Sequence, residues 1–131
     1  MNPDERFFAD WQCARLVALY ANLNDAADWD AVAALYPKDR VMFRPTAPYQ
    51  PVTGRAAILA VFQSRPLRTT RHVCSNVVID VEGPAIARGT SAMLLFNGGP
   101  APLVDSFHDR FALTADGWRF AERRGSLTFK P

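Results

Sequence analysis

The stretch Thr70–Gly83, TRHVCSNVVIDVEG, joins a long β-prone run to the most chemically interesting titratable residue of the chain. Val73, Val77, Val78, Ile79 and Val81 are β-branched, which suits the pleated surface of a strand, and Glu82, Gly83 and Pro84 supply a turn. Two-residue alternation puts His72, Cys74, Asn76, Val78 and Asp80 on one face and Val73, Ser75, Val77, Ile79 and Val81 on the other. The second face is almost purely apolar. The first carries an imidazole, a thiol and an amide, a mixture that suits either a polar-lined pocket or buried groups held by hydrogen bonds.

Downstream the chain is all strand. Ala85–Asn97, Leu103–Thr114 and Trp118–Phe129 are joined by EGP, NGGPAP and ADG, and segments connected so closely pair antiparallel. Upstream it is mainly helical. Asn2 as N-cap, Pro3 as first helical residue and Asp4 and Glu5 at the positive end of the dipole start a helix that runs to about Leu23. Phe7, Trp11, Ala14 and Ala18, widened by Phe8, Val17, Tyr20 and Leu23, predict its buried stripe. Asn24–Ala27 breaks it, and Asp28 caps a shorter helix, DWDAVAALY, which ends before Pro37. VMFRP reads as a short strand, TAPYQPVTG as a proline-punctuated loop or second short strand, and Thr53 or Gly54 opens a third helix, RAAILAVFQS. Ala57, Ile58, Val61 and Phe62 form the apolar side of that helix. The expected fold class is α+β: a cone-shaped, curved, mostly antiparallel sheet with three N-terminal helices packed on its concave face, in one domain spanning residues 1–131.

Composition narrows the function classes. A chain of 131 residues buries a real core without staples, and 49% hydrophobic with 21% charged residues is ordinary for a globular protein. A net charge of +2, with no long Lys or Arg run, argues against nucleic acid; Arg65, Arg68 and Arg71 come closest to such a run and read as a solvated loop. Cys13 and Cys74 make no disulfide framework, and nothing in the His and Cys spacing suggests a metal. The N-terminus lacks a basic leader and an apolar span, so a cytoplasmic protein without membrane contact is expected.

Four segments in order, LYANLNDAADWDAVAALY, VTGRAAILAVF, TRHVCSNVVID and SFHDRFALTADGWRFAERR, resemble the nuclear transport factor 2-like superfamily, in particular its SnoaL-like and scytalone dehydratase-like branches. The resemblance covers nearly the whole chain and implies the cone. It also implies a dyad: in the dehydratase-like and dehydrochlorinase-like members an Asp after the first helix meets a His opening the first long strand, and Asp25 and His72 are the matching residues. A carboxylate on one imidazole nitrogen fixes the tautomer and steadies the imidazolium, which leaves the other nitrogen to take a proton. Elimination or isomerisation then needs neither metal nor cofactor, so none is expected. Because fold does not decide function, a non-catalytic small-ligand or assembly module, such as a ring-hydroxylating dioxygenase small-subunit-like protein, is the second class considered.

The scytalone dehydratase-like pattern has a Tyr where this chain has Asn24, and a second His where residues 89–91 offer Thr90 or Ser91. The proton donor is therefore open, with Tyr20, Tyr49, Asn76, Thr90 and His108 as candidates; Tyr20, Asn76, Tyr49 and Thr90 are the expected substrate binders. An Asp–Arg–Asp set drawn from Asp109, Arg88 and Asp105 does not assemble convincingly. Asp109 with Arg123 or Arg124 reads as a structural ion pair between neighbouring strands. Trp11, Trp29, Phe43, Phe62, Phe107, Phe111, Trp118 and Phe120 read mainly as core, with some lining a cavity for a small apolar or aromatic molecule. Alternating apolar residues on the outer sheet face suit a homodimer or homotrimer.

Overall fold

Helix α1, Pro3–Asp25, starts on a capping box: the Glu5 amide donates to Asn2 Oδ1 at 2.9 Å and the Asn2 amide donates to Glu5 Oε2 at 2.8 Å. The computed structural model describes residues 1–39, 41–43 and 51–126, residues 41–43 by backbone alone. Tyr49 and Phe129 lie outside the described residues, as does the side chain of Phe43. After α1 come α2 (Trp29–Ala33), β1 (Val41–Phe43), β2 (Pro51–Thr53), α3 (Arg55–Gln63), β3 (Arg71–Gly83), β4 (Ile86–Phe96), β5 (Leu103–Thr114) and β6 (Gly117–Ser126). Asp28 caps α2 by accepting from the Ala31 amide at 3.3 Å, and Gly54 opens α3 at φ +91°, a conformation that favours glycine.

The strands form one sheet in the order β2-β1-β6-β5-β4-β3. β3 to β6 are a meander of antiparallel pairs, and β1 joins the edge of β6 in parallel. The helices cover the concave face. Between the layers lies an aromatic core in which Phe111 and Phe120 approach to 5.2 Å, Tyr36 and Phe120 to 5.5 Å, and Trp29 stacks on Phe62 at 5.7 Å. Among the described residues no helix is long and apolar enough to cross a membrane.

Two expectations fail, each for a geometric reason. The stripe Phe7, Phe8 and Trp11 is 76%, 57% and 50% exposed, and the face of α1 that packs inward is Ala9, Cys13, Leu16, Val17, Tyr20, Ala21 and Asn24. Cys13 lies two residues from Trp11, hence nearly opposite it on a helix, and the small Ala9 and Cys13 let α1 lie close to the sheet where bulky rings would hold it off. The second failure concerns β3. Its register slips between Ser75 and Val78, and Asn76 sits at φ +53° in a bulge. One extra residue reverses every later side chain, so the inward face is His72, Cys74, Val77, Ile79 and Val81, while Asn76, Val78 and Asp80 point out. Asn is one of the few side chains that adopts the left-handed conformation readily.

The bulge predicts a specific substitution pattern. Asn76→Gly should leave stability to urea close to wild type, and Asn76→Val should lose about 1–2 kcal/mol because a branched Cβ is forced into left-handed geometry. Equal stability of the two variants would contradict the bulge.

Candidate active site

The site starts where α1 stops. The helix runs two residues past Leu23, and Ala27 at φ +53° then turns the chain away, which leaves Asp25 as the last helical residue. Asn24 beside it is buried: its Nδ2 donates to the Tyr20 carbonyl at 2.8 Å, and its Oδ1 accepts from Arg65 Nη1 at 3.2 Å. Asn24 thus anchors the end of the helix internally, and Asp25 is presented to the start of β3.

Asp25 ties the two elements together. His72 Nδ1 lies 2.6 Å from Oδ1, the His72 amide donates to Oδ2 at 2.9 Å and to Oδ1 at 3.1 Å, and the Thr70 hydroxyl donates to Oδ1 at 3.0 Å. Both side chains are about nine-tenths buried, and Arg71 Nη1 approaches Oδ2 to 4.0 Å from the exposed side. Burial pushes the Asp25 carboxyl up, but the bonds from the His72 ring, the His72 amide and the Thr70 hydroxyl outweigh it and hold the group below its ordinary value. A carboxylate in that state holds the proton of the imidazole on Nδ1. Among the described residues Nε2 has no hydrogen-bond partner.

Beyond the dyad the concave face carries an unusual set of polar groups. Arg123 is 1% exposed, its Nε is 3.4 Å from Asp109 Oδ1, and its guanidinium carbon lies 3.9 Å from the centre of Phe107, 4.2 Å from Tyr20 and 4.8 Å from Phe120. Among the described residues none of its three nitrogens has a hydrogen-bond partner, and the same is true of both Asp109 oxygens, Asp105 Oδ1, Ser91 Oγ and the Tyr36 hydroxyl. Burial raises the Asp109 carboxyl to about 6, although Arg123 opposes the shift. Burial also raises Asp105, against the pull of His72 and Arg123. Buried polar atoms left without hydrogen-bond partners at this density are uncommon in a core and call for an explanation. Cys74, next inward from His72 on β3, is an unactivated thiol whose burial raises it, with Sγ 3.9 Å from the Val17 carbonyl.

Of the expected site residues the structure joins Asp25 and His72 directly, and Tyr20 is buried against Phe107, Phe120 and Arg123. It separates the others. Asn76 lies on the outer face because of the bulge, and Thr90 is exposed there as well, paired directly with Val78 on one side and His108 on the other. Thr90 and His108 line an outer groove of about 490 Å³, and the groove's arginines are paired locally, Arg110 and Arg124 with Glu122 at 3.5 and 3.4 Å and Arg88 with Glu82 at 3.8 Å. Asn76 and Thr90 are therefore corrected: neither reaches the concave face. Ser91, Asp105 and Arg123 face inward in their place. The alternation Asp105, Phe107, Asp109, Phe111 contained the signal for Asp105, whereas Arg123 was ambiguous with Arg124 until the register shift between β5 and β6 turned it inward.

The curved sheet closed by helices is the architecture of the nuclear transport factor 2-like class. Within that class the chain belongs to the SnoaL-like domain family, whose model matches residues 6–124. Three solved structures are similar to it. A nuclear transport factor 2-like protein with a cystatin-like fold from Novosphingobium aromaticivorans is 23% identical over 96% of this chain and 86% of its own, with a TM-score of 0.83. A provisionally named scytalone dehydratase from the same organism is 23% identical over 86% and 79%, TM-score 0.73. A provisionally named aromatic ring hydroxylase, again from that organism, is 19% identical over 100% and 94%, TM-score 0.82. At these identities the likeness establishes the fold. No curated protein matches the chain significantly.

The dyad has a signature in stability. A carboxyl held below its unfolded value contributes stability that is complete above the ordinary aspartate value of about 4 and is lost as pH falls through the lower folded value. Asp109, raised in the fold, acts in the opposite sense and costs stability as pH rises from about 4 to about 6. In urea unfolding across pH, Asp25→Asn should be less stable than wild type at neutrality, and the difference should shrink as pH drops below about 4. A difference independent of pH would contradict this account of Asp25.

Proposed function

We propose that the protein is a lyase or isomerase acting on a small apolar or aromatic molecule held between the helices and the concave sheet face, with His72 as general base. The observation that carries the reading is the 2.6 Å contact between His72 Nδ1 and a buried Asp25 carboxylate, itself held by the Thr70 hydroxyl and the His72 amide. With the proton fixed on Nδ1, the Nε2 lone pair removes a proton from a carbon next to a carbonyl. The C–H electron pair then either forms an enolate that is reprotonated elsewhere, which is isomerisation, or expels a group on the adjacent carbon, which is elimination. Asp25 stabilises the imidazolium formed in the step.

Two further features support this chemistry. The Arg123 guanidinium, buried and without hydrogen-bond partners among the described residues, is a donor for the oxygen that gains negative charge, and a donor in a dry site acts more strongly than one in water. The rings of Tyr20, Phe107 and Phe120 around it suit an aromatic or apolar skeleton. Tyr20 remains the expected binder among those read from the sequence. The provisional names of two fold relatives, a dehydratase and an aromatic ring hydroxylase, agree with a small aromatic ligand. A binding module would use the same walls without turnover.

Replacing the base separates the two. His72→Gln should lower turnover of a responsive substrate by about 100-fold or more while leaving circular dichroism and urea stability near wild type. Undiminished turnover in that variant would sink the proposal, and ligand binding with no turnover by the wild type would favour the binding module.

A further inference from the structure

The dyad supplies a base but no acid; of the residues first considered for that role, Asn76, Thr90 and His108 are on the outer face, Tyr49 is outside the described residues, and Tyr20 is buried against Arg123, Phe107 and Phe120. The concave face offers one carboxyl in the right place. Asp105 on β5 pairs with Met93 on β4, which pairs with Cys74 on β3, two residues along the strand from His72 and the next residue on its inward face. Neighbouring strands are about 4.8 Å apart, so the backbones of Asp105 and Cys74 stand about 10 Å from each other across a concave surface. Met93 stands between them on the same inward face, and the His72 imidazole is near enough to Asp105 to act on its carboxyl.

We propose that Asp105 is the proton donor to the leaving group, and that the substrates are hydroxy-carbonyl compounds with an aromatic or apolar skeleton that lose water. The assignment rests on the dyad reading of the preceding section. Asp105 is 7% exposed, and its Oδ1 is buried with no hydrogen-bond partner among the described residues, so the carboxyl has no internal role that consumes it. The charged or titratable groups that act on it are His72 from β3 and Arg123 from β6; both favour the carboxylate, yet burial prevails and raises the carboxyl above its ordinary value. A buried carboxyl shifted towards its protonated form thus faces the same side of the sheet as the base.

The step balances without any co-reactant. His72 Nε2 takes the proton from the carbon beside the carbonyl, and Arg123 steadies the oxygen as charge develops. The former C–H pair becomes the new C=C bond, the C–O bond breaks, and the departing hydroxyl takes the Asp105 proton and leaves as water. The imidazolium and the Asp105 carboxylate return to their starting states by proton exchange through solvent. A hydroxyl is a poor leaving group and needs that proton. An acetate leaves without it.

The leaving group is therefore the test. The probes are the aldol adduct of benzaldehyde and acetone, which loses water to benzylideneacetone, and its acetate ester, which loses acetate to the same absorbing product. The wild type should eliminate both. Asp105→Asn, nearly identical in shape to the protonated acid, should slow loss of water by about 100-fold and leave loss of acetate within about threefold of wild type. His72→Gln should slow both. Equal slowing of the two probes by Asp105→Asn, no slowing of either, or elimination of acetate but not water by the wild type would overturn the role of Asp105. If the wild type eliminates neither, the dyad reading fails instead, and a second measurement decides Asp105: an NMR titration of labelled aspartate carboxyl carbons, with Asp105→Asn to assign the signal. A midpoint clearly above the ordinary aspartate value supports the donor, and one at or below it overturns it.

Discussion

One carboxylate holds the architecture of the site. Asp25 receives a ring nitrogen and a backbone amide of His72 and the hydroxyl of Thr70, so the final turn of α1 and the first residues of β3 are joined at a single point. The constraint acts twice. It sets how far α1 reaches along the sheet, and so which residues of α1 face inward, and it sets the orientation of the imidazole. Asn24 completes the anchorage by spending its amide on the helix and on Arg65, which lets the helix end without an open polar group beside the dyad.

The second physical theme is polarity kept in a buried place. An ion pair sealed from water seldom stabilises a fold, because the cost of desolvating two charges rivals their attraction. Asp109 and Arg123 face each other at 3.4 Å without hydrogen-bond geometry, Asp109 is raised to about 6, and neighbouring Asp105 and Ser91 also lack partners among the described residues. A core selected for stability alone would replace these groups with aliphatic side chains of similar volume. Their presence inside a ring of aromatics supports the proposal that this face meets the polar atoms of a ligand.

Much of the fold was legible in the sequence because it depends on local signals. The Asn2 cap, the Asp28 cap, the Gly54 start and the hairpin connections each act within a few residues, and the structure contains all of them. Asp25 and His72 were paired through the resemblance to the dehydratase-like members, not through their spacing. What escaped was governed by longer-range geometry. A bulge at Asn76 leaves no trace in alternation and reverses the faces of half a strand, which removed Asn76 from the site and put Val77 in its place. A helix with rings on one side and small residues on the other can bury either, and the close approach of α1 to the sheet selected Ala9 and Cys13 over Phe7 and Trp11. Arg123 and Arg124 were equivalent in the sequence; the irregular pairing of β5 with β6 sent one to the core and the other to the outer face.

The claim on which the rest depends is that Asp25 holds the His72 proton on Nδ1 and leaves the Nε2 lone pair free to act as a base. Long-range proton–nitrogen correlation NMR on imidazole-labelled protein, with His72→Gln to assign the signals, reads the tautomer directly. The account predicts that neutral His72 carries its proton on Nδ1, with Nε2 unprotonated. A neutral ring protonated on Nε2 would contradict it.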